Sequence, residues 1–362
     1  MRPRRLSAAL AGSALLAALA LAAWSGLAGA DKARAPIVSA SGATAEPAHV
    51  SRLWQERYGL LLWRGGLRVS SSDPRFGGFS GLLTDGRGEA FVAVSDRGWW
   101  WRGRLAHDAR GRLSGLAEAG EMGPMLSSRG RPLRWPWQDA EAIAPWDGRR
   151  LEGPVLVAFE RKERLALYDW AAAGPRAAAR YLRIPAGLHA GRNNGEMEAA
   201  ARFWAGPLKG WLIAAGEKNF DARGNVRAWA WRGRKTIPFT IVRRGTFRIT
   251  DMAVLPSGEG FITLERRFSK RFSALPAFAL RLFRTRDIAA GRALRGTLLM
   301  EASWPTHAID NMEGLSLYRA GPELRLMLIS DDNYNPALQS TLIFQFALPR
   351  DVLSRLLATP KP

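Results

Sequence analysis

The chain reads as an all-β protein, a β-propeller of four-stranded blades, five by count with six as the alternative. Three observations predict this. A hairpin of two apolar runs around a Gly-containing turn recurs five times, and a third, alternating run follows each hairpin. One unassigned strand near residue 66 is left over to complete the last, shorter module. The hairpins begin at residues 80, 141, 198, 251 and 313, intervals of 53 to 62 residues, and recurrence at such a period marks a repeat architecture. A β-sandwich fits that regularity poorly.

The elements follow in order. The first hairpin joins Ser80-Gly81-Leu82-Leu83 to Phe91-Val92-Ala93-Val94-Ser95-Asp96 across an Asp-Gly turn, and the second joins Glu141-Ala142-Ile143 to Val155-Leu156-Val157-Ala158-Phe159-Glu160. The third links Glu198-Ala199-Ala200 to the run from Trp211 to Glu217, and the fourth links Asp251-Met252-Ala253-Val254 to the run from Phe261 to Glu265. In the fifth, Glu313-Gly314-Leu315-Ser316-Leu317 meets the run from Leu326 to Asp331. Short runs rich in Val, Ile, Leu and Phe, separated by Asp-Gly, Ala-Gly-Pro or Ser-Gly turns, are hairpin strands. Third strands start at Trp99, Arg164, Val226, Leu280 and Leu342, and their alternation predicts an outer sheet with one wet face. Fourth strands are weaker, as at Tyr181-Leu182-Arg183-Ile184 and Thr240-Ile241-Val242. The fifth module lacks one, and Gly66-Leu67-Arg68-Val69-Ser70 is expected to supply it and so close the ring.

Composition bounds the rest. Of 362 residues, 47% are hydrophobic, enough for a large core. Lys and Arg number 53 against 32 Asp and Glu, a formal net charge of +21, without a block of like charge. Such a field attracts anionic small molecules, phosphorylated ones included. The absence of cysteine excludes disulfides, zinc–thiolate sites and thiol nucleophiles. Arg2, Arg4 and Arg5 precede an uncharged apolar stretch from Leu6 to Trp24, followed by Ala28-Gly29-Ala30. That is the layout of a secretory signal, with an uncleaved membrane anchor as the alternative. The expected division is therefore a signal or anchor at 1–30, a linker at 31–49, the propeller at 50–350 and a tail at 351–362. The folded part is expected outside the cytoplasm, periplasmic or secreted, which argues against a nucleic-acid partner.

Hairpin geometry gathers acids. The residue before the first strand and the residue after the second lie at one end of a hairpin, so Glu141 neighbours Glu160, Glu198 neighbours Glu217, Asp251 neighbours Glu265 and Glu313 neighbours Asp331. Asp96 faces Ser80. All blades of a propeller point the same way, so these acids are expected to form a rim at one mouth of the central channel. Unbalanced carboxylates repel and call for cations. One source is the adjacent bases, among them Arg97, Lys218 and Arg266; the other is calcium, which takes oxygen ligands of this kind. Ion pairs that fix blade register are the structural alternative. Trp99-Trp100-Trp101 and Trp135-Pro136-Trp137 are expected to pack between blades, with ring stacking on a ligand as the alternative. No Gly-x-Ser-x-Gly nucleophile elbow occurs, Gly78-Phe79-Ser80-Gly81 being one residue short, and His307 is expected to be a loop hydrogen-bonder.

Five segments carry a family likeness: Ser95-Asp96-Arg97-Gly98, Asp139-Ala140-Glu141-Ala142-Ile143, Ile249-Thr250-Asp251-Met252-Ala253, Asp310-Asn311-Met312-Glu313-Gly314-Leu315 and Ser330-Asp331-Asp332-Asn333-Tyr334-Asn335. In this order they resemble the exported bacterial proteins called phytase-like, or esterase-like activity of phytase, over roughly residues 70–347. The resemblance implies a propeller related to the calcium-dependent phytases, which hold phosphate through calcium ions in an acidic channel mouth. On the hairpin geometry, Asp96, Glu141, Glu160, Glu198, Glu217, Asp251, Glu265, Glu313 and Asp331 are the candidate metal ligands, and Arg97, Lys218 and Arg266 the candidate contacts for an anionic substrate. The Asp-Asp-Pro-Ala run associated with those phytases is absent. The expected function is calcium-dependent phosphoester hydrolysis. A non-catalytic binding propeller and a carboxylester hydrolase are the alternatives.

Overall fold

The computed structural model describes residues 38–51, 53–189, 197–267 and 275–358. The predicted signal or anchor at 1–30 lies outside them, as does the start of the predicted linker. No helix among the described residues is long and apolar enough to cross a membrane.

Strands dominate, arranged as antiparallel four-strand meanders in chain order. The first comprises Phe79–Thr84, Ala90–Ser95, Trp99–His107 and Leu113–Pro124. The second comprises Ala140–Pro145, Val155–Phe159, Arg164–Tyr168 and Arg180–Leu182. The third comprises Ala199–Arg202, Leu212–Phe220, Val226–Arg232 and Lys235–Ile241, with Ala293–Leu294 added in parallel. The fourth comprises Arg248–Val254, Gly260–Arg267, Ala277–Arg284 and Thr297–Ser303. The last comprises Asn311–Ala320, Glu323–Asp331 and Thr341–Pro349, completed by Leu61–Ser70 from the start of the folded region. The first strand of each meander packs against the first strand of the next, and those of the first and last meanders also meet. Four-stranded meanders repeated around an axis are propeller architecture.

The closing strand is longer than its apolar core suggested. Thr341 pairs with Val69, Ile343 with Leu67 and Phe346 with Trp63, and a single parallel bridge from Gly65 to Leu113 ties this strand to the first meander. Residues expected to be a linker also join sheets. Ser39–Ala40 pairs with Met122 and Glu121, and Thr44–Pro47 pairs with Ser70 through Leu67. Outer strands keep an unpaired edge, and short segments of small residues can cover it without displacing core side chains. Part of the expected tail is likewise ordered: Arg350–Leu357 is a helix that lays Val352, Leu353, Leu356 and Leu357 on the core.

The core lies between neighbouring meanders rather than at the centre. Alternate residues of a strand therefore enter different layers. Phe91 and Ala93 pack toward the last meander, whereas Val92 and Val94 pack toward the second. This corrects the expected wet face for the second meander, where Arg164–Tyr168 is buried throughout because meanders cover it on both sides, whereas Trp99–His107 in the first keeps exposed positions. Trp100 and Trp101 are fully buried in opposite layers, as inter-blade packing requires. Trp135 and Trp137 instead are 64% and 50% exposed.

Candidate functional site

One backbone irregularity recurs at the start of the inner strands. In the first meander Phe79 pairs with Ser95 and Gly81 with Val94, leaving Ser80 as an extra residue. In the second, Ala140 pairs with Phe159 and Ala142 with Ala158, leaving Glu141. The fourth leaves Thr250 between Ile249 and Asp251, and the last leaves Glu313 between Met312 and Gly314. Glu198 directly precedes the first pair of the third meander, Ala199 with Ala215. A bulge re-aims its extra side chain and ends the ladder. The repeated position is thus Ser80, Glu141, Glu198, Thr250 and Glu313.

The same register fixes the partner strand. Asp96 lies opposite Gly78, Glu160 opposite Asp139, Arg266 opposite Arg248 and Asp331 opposite Asn311. Glu217 stands two residues past Ala215 and occupies the corresponding place. The fourth meander therefore differs from the others: its two positions hold Thr250 and Arg266, not the expected acids Asp251 and Glu265.

Those two acids do other work. Asp251 follows the bulge, and its carboxylate accepts from the backbone N–H of Met252 and of Leu315, both at 2.7 Å, stitching the fourth meander to the last. Glu265 is turned to the sheet face, where it accepts from Arg281 Nε at 2.6 Å and Thr263 Oγ1 at 2.8 Å. In this geometry both carboxylates are engaged by donors of the protein itself, away from the repeated positions.

Two of the remaining acids, Glu141 and Glu160, come together with Asp139. Among the described residues, Asp139, Glu141 and Glu160 each place a carboxylate oxygen within 4.8 Å of the other two, and all three are buried. Burial first, then Glu198, Asp139, Glu160 and Glu313, push the Glu141 carboxyl well above its ordinary range. Burial and the acids Glu217, Glu160 and Glu313 do the same to Glu198. Asp139 was not among the expected ligands, although its place opposite Glu160 in the hairpin could have marked it. Burial raises it against the pull of Arg161, its ion-pair partner, and it hydrogen-bonds with Glu141. Hard oxygen donors at this spacing suit a hard divalent cation such as calcium.

The other side of the cluster is balanced by bases. Arg266 Nη1 donates to Asn311 Oδ1 at 2.6 Å, and its Nη2 lies 3.2 Å from Glu313 Oε1 and 3.5 Å from Glu217 Oε1. Lys218 Nζ is 2.8 Å and Arg248 Nη1 3.4 Å from Glu217 Oε2. Burial would raise Glu217, but Arg266, Lys218 and Arg248 hold it below its usual range. Burial carries Glu313 up to about 8 despite Arg266. Asp331 is raised to about 6 by burial, while Asn333 N–H donates to its Oδ1 at 2.6 Å. Burial, Asp331 and Asp139 carry Asp96 to about 7.

Arg97 lies over the Tyr334 ring, 3.5 Å from its centroid, and the Tyr334 hydroxyl is 2.7 Å from Ser95 Oγ. Gly78, at φ +63, allows this approach: a Cβ there would lie 2.3 Å from both Asp96 Oδ1 and the Tyr334 ring. The adjacent Asp332 is structural, accepting from the backbone N–H of Gly78 and Tyr334 at 3.0 Å each. His307 is a loop hydrogen-bonder, with Nδ1 2.9 Å from Thr306 Oγ1. His49 and His107 bond to Ser51 and Gln345, away from the cluster.

Fold and site together define a β-propeller protein with a buried carboxylate cluster at the ends of its inner strands. A family model described as "Phytase-like: Esterase-like activity of phytase" matches residues 74–334, and the chain belongs to that family. No curated protein matches. A crystal structure of the β-propeller domain of Cps50 (Swd1) from Myceliophteria thermophila is similar at 12% identity and a TM-score of 0.33, covering 71% of this chain and 67% of that one. A likeness at that level carries no functional argument.

Proposed function

We propose that the chain is an exported, five-bladed propeller that hydrolyses phosphoesters with calcium held at an acidic mouth of its central channel. The observation that carries this reading is the buried trio Asp139, Glu141 and Glu160, whose carboxylate oxygens lie within 4.8 Å of one another. Family membership supports hydrolysis of an ester bond. Asp139, Glu141 and Glu160 would hold the ion, with Asp96 and Glu198 close enough in charge to tune it. When bound, calcium supplies a Lewis acid for a phosphoryl oxygen and makes water a better nucleophile. The surrounding carboxyl groups hold protons near neutral pH, as a leaving alkoxide requires. Arg97, on its tyrosine platform, and Lys218 would orient the substrate anion. Export rests on residues 1–30, and places the protein in the periplasm or outside the cell, with an inner-membrane anchor as the alternative.

The test is phosphate release from phytate and simple phosphomonoesters, with calcium and with EDTA, for the wild type and Glu141→Gln. We expect chelation to abolish the activity and Glu141→Gln to lower it at least ~100-fold. Turnover indifferent to EDTA, or no phosphoester cleaved at all, would sink the proposal. One observation favours a non-catalytic binding propeller instead: Glu217 and Glu313 already share Arg266. Carboxylester hydrolysis is supported by the family description, and labelling by a serine-directed phosphonate would favour it.

A further inference from the structure

We propose that Arg150 holds a single monatomic anion, a halide such as chloride, in a small cavity where the inner strands of all five meanders meet. The cavity lies further along those strands than the carboxylates, and the inference stands apart from the metal reading above.

The lining fixes the place. Leu83, Ala144, Ala201, Ala253 and Ser316 come one from each meander, each three residues past the repeated positions Ser80, Glu141, Glu198, Thr250 and Glu313. Arg150 completes the wall and is its one charged side chain among the described residues. It comes from the loop between Ala140–Pro145 and Val155–Phe159, where the backbone holds it at φ +57. A long side chain in the left-handed region is strained, and such strain persists where the surrounding structure imposes it.

The guanidinium is buried, with 6% of the residue exposed, and every acceptor it meets is neutral. Nε donates to Thr84 O at 2.7 Å, and Nη2 donates to Ser316 Oγ at 2.9 Å and Thr84 Oγ1 at 3.4 Å. Nη1 has no acceptor, and the guanidinium has no carboxylate at ion-pair distance, among the described residues. Burial lowers Arg150 to about 10 against the opposing pull of Asp85 and Tyr318. Asp85 spends its Oδ1 on the backbone N–H of Arg87 and Glu89, at 3.2 and 2.8 Å. A buried charge calls for an opposite one, and the protein supplies none in contact. The cavity, about 10 Å³, takes one occupant near the size of a water molecule. That size admits a monatomic ion and excludes phosphate, while the free Nη1 supplies the charged donor it needs.

The experiment exchanges gluconate for chloride at constant ionic strength and reads the melting temperature of the wild type and Arg150→Met. The wild type is expected to gain about 3 °C or more, saturating with chloride, and Arg150→Met to gain nothing. Crystals grown in chloride and measured at long wavelength are expected to show an anomalous peak within hydrogen-bond reach of Nη1. No chloride dependence in the wild type, or an equal gain in Arg150→Met, overturns the proposal. So does a water molecule in the cavity in place of the anomalous peak. Should Arg150→Met fail to fold, the wild-type titration and the peak decide together, and the absence of either sinks the site.

Discussion

Protons and bases share the work of keeping this cluster folded, and individual residues show how. Glu313, Asp96 and Asp331 titrate near 8, 7 and 6, each raised chiefly by burial. Their unfolded values lie near ~4, so the folded state binds more protons than the unfolded state across the interval between. Stability without metal must then rise as pH falls through these three values, and level off near the unfolded ones. We expect the melting temperature in EDTA to increase steadily from pH 9 to pH 5.5. A flat or falling trend over that range would mean the three carboxyls are ionised at little cost. Calcium should flatten the trend, because it replaces the protons as the neutralising charge.

At the level of elements, hairpins were readable because apolar runs and Gly turns recur in sequence. The bulges were not readable. A bulge adds one residue to one strand, and nothing in the residue types of Phe79-Ser80-Gly81 or Met312-Glu313-Gly314 reports it. Matching acid to acid in the fourth hairpin therefore slid the register by one, from Thr250 and Arg266 to Asp251 and Glu265. Such a slip moves a side chain to the opposite face of the sheet, and Glu265 is found there against Arg281. Asp251 stands where other meanders have Gly81, Ala142 and Gly314, and its carboxylate accepts from the backbone N–H of Leu315 in the last meander. Asp251→Ala leaves two buried N–H groups without their acceptor, and should cost about 2–4 kcal/mol in urea unfolding. A loss below about 0.5 kcal/mol would mean those amides find other partners. Calcium binding at the trio should survive this substitution in whatever fraction stays folded.

Across the whole molecule, inter-blade layers provide the core and one borrowed strand completes the ring. Gly65, at φ +109, sits where that strand crosses to the first meander, and a Cβ there would lie 2.2 Å from Leu113 O. Gly65→Val should destabilise the protein by at least ~2 kcal/mol, read as a lower midpoint in urea. An unchanged midpoint would show that the crossing is dispensable. The borrowed strand also imposes an order in time. Leu61–Ser70 has an early partner in Thr44–Pro47, but its other edge waits for Thr341–Pro349, made hundreds of residues later. Throughout that wait the growing chain carries an open β-edge, the feature that invites pairing with another copy. The last-made strand is therefore the one that retires this hazard, and a ribosome paused before residue 341 holds a chain primed to exchange strands with its neighbour.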